Sequence, residues 1–211
     1  MPRESLIEVG EVALLLRPRL PADVLGLLRR AEATPHAGLV ELVPGADSLL
    51  LVFAAPTAPR DHAFALALLA ATMPVAELSD EAAKPPSEHR VAVVYDGPDL
   101  PCIARATGLR VDEFIDLHRA AEYRVAFLGF QPGFAYLSGL PTRLHAARLP
   151  SPRPRVPAGS LGIGGEWTGF YPSASPGGWN LIGRTKTWLF DPSRAEPTRM
   201  LPGDIVRMVP A

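Results

Sequence analysis

Three runs in one stretch decide how this chain is read: GFQPGFAYL at 129–137, SPRPRVPAGSLGIGG at 151–165 and TGFYPSASPGGWNLIGRT at 168–185. Glycine, proline, aromatic and arginine residues alternate here more densely than a packed core requires. Glycine permits close backbone approach and positive φ, and proline fixes φ and removes a donor. Loops defined this tightly are where binding sites are usually built. Helical periodicity is absent from Tyr123 onward. Short apolar runs (VAFLGF, SLGIGG, WNLIG, TWLF, DIVRMV) alternate with Gly/Pro turns, the pattern of a closed or sandwiched β-structure.

Working toward the N-terminus, Leu100–Thr107 and Val111–Ala121 predict two short helices, the first stopped by Gly108. Residues 6–16 (LIEVGEVALLL) predict a strand, and Pro21 opens an amphipathic helix to about Ala33. Leu39–Val43 and Leu49–Phe53 predict a hairpin around Pro44-Gly45. Asp61 is placed to cap a helix running to about Thr72, and Arg90–Tyr95 reads as a strand. The resulting order is βαββαβ, a ferredoxin-like pattern. Lys84-Pro85-Pro86-Ser87 is a linker or a loop before the last strand. The expected fold class is α+β, with an α/β N-terminal domain over residues 1–88 and a β domain over 89–211.

Bulk composition excludes several functions. The 211 residues are 47% hydrophobic and 20% charged with a net charge of −1, so no global field attracts nucleic acid or an anionic membrane. Proline is the outlier at 24 residues, about twice the usual ~5%. Cys102 is the single cysteine, which excludes an internal disulfide and fits a reducing, cytoplasmic setting. On its predicted helix it reads as a buried structural thiol. The apolar run Phe64–Ala76 is broken by Thr72 and Pro74 and is shorter than the ~20 residues a membrane span needs; it reads as a buried helix.

Self-contained catalytic motifs fail one by one. The histidines at 36, 62, 89, 118 and 145 form no paired metal-ligand spacing, so no metal site is expected. Ser175 lies in SASPG without the leading glycine of a nucleophile elbow. Trp167 breaks a GxGxxG begun at Gly162, and GWNLIGRT has P-loop spacing but the composition of a buried strand. His118 shares a helix face with Phe114 and Ile115 and is either a packed, hydrogen-bonded histidine or a catalytic base aided by Tyr123. Arg153 and Arg155 stand in a proline-stiffened loop where alternate residues point the same way. Guanidinium groups suit carboxylate or phosphate; the plainer alternative is a pair of solvated surface arginines.

The aromatics Phe130, Phe134, Tyr136, Tyr171 and Trp179 flank glycine turns, either as plain core or as the wall of a mostly apolar pocket. Pro132, Gly133 and Pro176 shape the loops of that pocket, and Ser160, Thr168, Tyr171 and Ser175 supply its polar groups. The backbone of Gly177-Gly178 is placed to stabilise an oxyanion.

These same runs, with the terminal PGDIVRMVP, the upstream VVYDGPDL and ELVPG in the first half, resemble the family of 5-oxoprolinase B subunits, also called the KipI family or allophanate hydrolase subunit 1. The resemblance covers essentially the whole chain. It implies a cyclophilin-like β-barrel as the second domain. It implies action with a C subunit and an A subunit, hydrolysing 5-oxoproline to glutamate with ATP, accompanied by magnesium, as co-substrate and no bound prosthetic group. In that reading Arg153 and Arg155 hold a phosphate or carboxylate, Tyr171, Ser160 and the Gly177-Gly178 backbone orient the reacting oxygen, and Phe130, Phe134 and Trp179 form an apolar wall. The chemical groups are too few to work alone, which implies a site shared with a partner. Alternatives are a component of an allophanate hydrolase or urea amidolyase-type enzyme, a non-catalytic inhibitor of a histidine kinase and, by fold analogy alone, a peptidyl-prolyl isomerase. Trp167, where relatives carry Gln, and Lys186, in place of a frequent Pro, depart from the family pattern.

Overall fold

The computed structural model describes residues 5–20, 24–70 and 85–211. The chain divides into two compact units, Met1–Pro85 and Pro86–Ala211.

In the first unit, strands β1 (Ser5–Val9), β2 (Ala13–Arg17), β3 (Leu39–Pro44) and β4 (Leu49–Phe53) form one sheet in the order β1-β2-β4-β3, antiparallel throughout. Helices α1 (Val24–Ala33) and α2 (Pro59–Ala70) lie against it. Leu14, Leu16, Leu49 and Leu51 point from the sheet toward Leu27, Leu28 and Leu68 of the helices, each fully buried leucine contributing about 1.5–3 kcal/mol. Asp61 accepts from the Ala58 N–H at 2.7 Å, fixing the first turn of α2. The start of the predicted helix at Pro21 and its counterpart's end at Thr72 lie outside the described residues.

The structure corrects two expectations. Residues 6–16 are not one strand but a hairpin, because Gly10 takes φ +62° and Val9 pairs with Ala13 across a three-residue turn. The closing strand of the expected βαββαβ unit does not return to this sheet. β1, at the front of the chain, holds the edge beside β2, giving ββαββα. The opposite sheet face carries an apolar row, Ile7–Leu15–Leu50–Val43, read across the register.

The second unit begins with that displaced strand, β5 (Glu88–Val93), followed by helices α3 (Leu100–Ala106) and α4 (Val111–Ala120). Then come β6 (Tyr123–Leu128), β7 (Ala135–Ser138), β8 (Arg153–Val156), β9 (Ser160–Gly164), β10 (Trp167–Phe170), β11 (Ser175–Gly177), β12 (Asn180–Arg184) and β13 (Ile205–Pro210). Seven of these strands form a sheet in the order β12-β9-β10-β7-β6-β13-β5; β8 and β11 form a separate ribbon. β13 runs parallel to β5 and antiparallel to β6.

The two edges of the large sheet meet. Val94 and Arg184 exchange backbone hydrogen bonds of 2.9 and 2.8 Å, and Gly97 and Asp99 donate to Ile182 and Leu181 at 3.2 and 3.0 Å. This seam curls the sheet into a nearly closed barrel around Phe114, Tyr123, Val125, Leu137, Leu161, Ile163, Ile182 and Val206. The approach is possible because Gly97 and Gly183 face each other's strand without side chains. A Cβ at either would sit 2.3 or 2.5 Å from a backbone oxygen across the seam. The P-loop-like GWNLIGRT is largely buried strand β12, and the TWLF run forms no strand, only a bridge from Phe190 to Thr198.

Candidate functional site

Outside the barrel wall, under the β8–β11 ribbon, Phe134, Val156, Tyr171, Trp179 and Leu181 make a second, smaller core. Phe134 is its hub. Its ring meets Trp179 at 5.2 Å and 80°, Tyr171 at 5.3 Å and 82°, Phe130 at 5.4 Å and 79°, and Tyr136 at 5.0 Å and 60°. Edge-to-face contacts of this kind fix ring orientation beyond simple burial. Glycines allow the packing: a Cβ on Gly164 would lie 2.4 Å from the Trp179 ring, and one on Gly177 2.5 Å from the Tyr171 hydroxyl.

Against this cluster lies a cavity of about 140 Å³, lined by Phe130, Phe134, Tyr136, Arg148, Leu149, Pro152, Tyr171, Gly177, Gly178 and Trp179. Phe130 stands at its mouth, 59% exposed. Its backbone takes φ +67°, the sole non-glycine positive φ among the described residues, inside a γ-turn closed by Gln131 N–H donating to Gly129 at 2.7 Å. Such a turn is strained for an L-residue, and Gln131 ties down its far side through Ser173. Burial raises the Tyr171 phenol above its usual range, opposed mainly by a hydrogen bond from the Trp179 backbone. Burial likewise raises Tyr136. Both phenols therefore stay protonated at neutral pH.

The cavity gathers Phe130, Phe134, Tyr136, Tyr171, Gly177, Gly178 and Trp179 from the sequence-predicted set. The rest of that set lies elsewhere. Arg153 is not free for an anion: its guanidinium donates to Asp99 at 2.6 Å and to the Trp179 carbonyl at 3.2 Å, and Asp99 also accepts from the Leu181 N–H at 2.6 Å. It clamps the ribbon to the barrel seam. Arg155 is exposed and does not line the cavity. Ser160 is buried at the start of β9, and Ser175 keeps a buried Oγ without a hydrogen-bond partner among the described residues. Pro132 and Pro176 lie outside the cavity lining, and Gly133 packs on Phe190.

His118 is a packed histidine, wholly buried in the barrel. The Thr168 hydroxyl donates to the Gly162 carbonyl, so it accepts from His118 Nε2 at 3.2 Å. Nδ1 then accepts from the Tyr95 hydroxyl at 2.9 Å. Burial without a negative partner lowers its pKa to about 3, so the ring is neutral. Cys102, expected to be buried, is exposed on α3.

Sequence reasoning missed Arg148, Leu149 and Pro152. They precede or open the proline-stiffened loop, and only the fold brings them to the aromatic wall: Leu149 N–H donates to the Gly178 carbonyl at 2.7 Å. Trp167 extends the wall outward, edge-on to Phe127 at 5.4 Å and to Tyr136 at 6.1 Å. With Arg148, His145 and Glu166 it lines an adjoining open groove of about 570 Å³.

A seam-closed barrel bearing a ribbon-covered aromatic cavity defines the class: residues 5–200 match the family described as carboxyltransferase domain, subdomain C and D. Among curated relatives, the 5-oxoprolinase B subunit of Escherichia coli O157:H7 is 41% identical over 220 residues, covering 100% of this chain and 97% of the relative. The protein of the same name from Bacillus subtilis (strain 168) is 35% identical, with 98% and 92% covered. The chain therefore belongs to the family of 5-oxoprolinase B subunits. Among solved structures, TTHA0988 superposes with a TM-score of 0.77 at 35% identity over 95% of this chain, which spans 40% of that longer chain. The Kluyveromyces lactis urea amidolyase shares the fold, with a TM-score of 0.73 at 19% identity, 100% of this chain and 15% of that one.

Proposed function

We propose that this chain is the B subunit of a 5-oxoprolinase, an enzyme that hydrolyses the cyclic amide 5-oxoproline to glutamate with ATP, together with a C and an A subunit. The observation that carries the reading is the 41% identity to a 5-oxoprolinase B subunit along the entire chain. The aromatic cavity supports it. A pocket walled by aromatic rings and protonated phenols suits a small amide ring, held by its faces. Within this reading the second unit is a cyclophilin-like barrel, and the first is a ferredoxin-like sheet whose edge strand comes from the front of the chain.

The cavity does not fit ATP. Its volume of about 140 Å³ is small for a nucleoside triphosphate, and Arg148 is the one cation lining it. Among the described residues no group of three or more His, Cys, Asp or Glu is placed to hold a metal ion. We therefore place the nucleotide and its magnesium outside this cavity. Surface for a partner exists: Ile7 and Val43 of the apolar row in the first unit remain 40% and 39% exposed. No helix among the described residues is long and apolar enough to cross a membrane. The exposed free thiol of Cys102 supports a cytoplasmic setting.

Purification of the chain alone and with its C and A subunits, followed by assay of 5-oxoproline-dependent ATP hydrolysis and glutamate release, tests the reading. Activity is expected only from the complete set. Full activity from the lone chain sinks the shared site, and none from the complete set sinks the 5-oxoproline assignment. Allophanate and urea serve as the parallel substrates in the same assay.

A further inference from the structure

We propose that Arg148 is the anion-holding residue of the aromatic cavity, which takes a compact cyclic carboxylate with its carboxylate at Arg148 and its ring against Phe134, Tyr136 and Trp179. The choice of ligand rests on the 5-oxoprolinase reading; the choice of residue rests on geometry alone.

The two arginines that the sequence singles out are unsuited to the task. Arg153 is bound to Asp99 and to the Trp179 carbonyl, and Arg155 lies off the cavity. Arg148 lines both the cavity and the open groove beside it, so it stands at their shared rim. It is exposed and has no ion pair or hydrogen bond among the described residues. The Tyr136 hydroxyl, facing the same space, is likewise without a partner among them. The other lining side chains are apolar or, for Tyr171, already hydrogen-bonded. A charged ligand group therefore has no compensation at the deep end and must stay at the rim, where a guanidinium can meet it bidentately.

The backbone that carries Arg148 is held on both sides. Ala146 exchanges hydrogen bonds of 3.2 and 2.7 Å with Gly165, Ala147 accepts from Asn180 Nδ2 at 2.8 Å, and Leu149 donates to Gly178 at 2.7 Å. A fixed base lowers the ordering cost of presenting the side chain. The size of the space selects the ligand class. A cavity of about 140 Å³ equals the liquid volume of about five waters, enough for one small ring and too little for a peptide segment or a nucleotide. Glu166 also lines the groove and disfavours anions there, which favours the cavity mouth as the anion position.

The test is titration of the full-length chain, followed by tryptophan fluorescence, with 5-oxoproline, pyrrole-2-carboxylate and 2-pyrrolidinone, the last being the lactam ring without its carboxylate. Arg148→Ala is expected to weaken both carboxylates by about 10- to 100-fold, as loss of a charge-assisted hydrogen bond does, and to leave 2-pyrrolidinone within about twofold. Arg148→Lys recovers part of the loss. In the reconstituted complex the same variant raises KM for 5-oxoproline with kcat retained. Equal carboxylate binding by wild type and Arg148→Ala overturns the proposal, as does failure of the wild-type chain to bind either carboxylate. Arg148-dependent binding of pyrrole-2-carboxylate without 5-oxoproline turnover by the complex keeps this inference and sinks the activity. Turnover with a KM that Arg148→Ala leaves unchanged does the reverse.

Discussion

A single methyl group at Gly97 should open the barrel. A Cβ there would stand 2.3 Å from the Leu181 carbonyl oxygen, 2.4 Å from the Ile182 carbonyl carbon and 2.6 Å from the Gly183 nitrogen. All three are backbone atoms that cannot swing aside. Ordinary contact needs ~3.5 Å, so the seam must part by about 1 Å. The Gly97 and Asp99 hydrogen bonds to Ile182 and Leu181, now 3.2 and 3.0 Å, then exceed bonding range. Two lost backbone bonds at about 1 kcal/mol each and about 1–3 kcal/mol of overpacking give a destabilisation of about 3–5 kcal/mol for Gly97→Ala. Urea unfolding measures the loss, and amide hydrogen exchange at residues 94–99 and 181–184 localises it to the seam. Gly178→Ala is the control, since its nearest neighbours would lie at 3.8 and 3.9 Å; it should cost under about 1 kcal/mol. A Gly97→Ala protein within about 1 kcal/mol of wild type, with its seam amides still protected, refutes the account of closure.

His118 should make stability pH-dependent. Its folded pKa of about 3 lies below the ordinary 6.5, so the unfolded chain binds the extra proton. Stability is then whole above pH 6.5 and falls as pH drops toward 3, by about 1–1.5 kcal/mol per pH unit. Chemical denaturation at pH 6, 5 and 4 should show a shallower slope for His118→Gln by that amount, and identical slopes exclude the assignment. Asp99→Ala should cost about 1–3 kcal/mol by leaving the Leu181 N–H without an acceptor and the half-buried Arg153 without its carboxylate. Arg155→Ala should change stability by less than about 0.5 kcal/mol, and the opposite ranking in thermal melts contradicts the clamp. Gly164→Ala should displace the Trp179 ring, shifting tryptophan emission and costing about 1–3 kcal/mol; unaltered emission counts against the packing.

The legible elements are those set by local chemistry. The hairpin of β3 and β4, the helix stop at Gly108 and the alternating runs that form β6, β9, β12 and β13 all carry their turn residues in place. The break after Val9 is hidden because LIEVGEVALLL keeps its apolar character through a turn needing only Gly10 to reverse the chain. The strand near Arg90 is easily given to the wrong sheet because sequence adjacency stands in poorly for spatial adjacency. β5 pairs with β13, more than a hundred residues away. The aromatic wall is readable as a composition. Its cation is not: nothing in the sequence distinguishes a free Arg148 from an Arg153 whose charge is spent on Asp99.

The placement of β13 also has a consequence for how the second unit comes into being. This strand follows every other in sequence yet lies between β6 and β5, with Ile205 beside both Arg124 and Glu88. A nascent chain that has released everything up to residue 200 therefore holds two strands with an empty lane between them. Pairing over such separations is slow to nucleate, and until the lane is filled the strand edges on either side stay open to foreign chains. The vulnerable interval of this unit is the one before β13 is available, when that strand must still be inserted between β6 and β5.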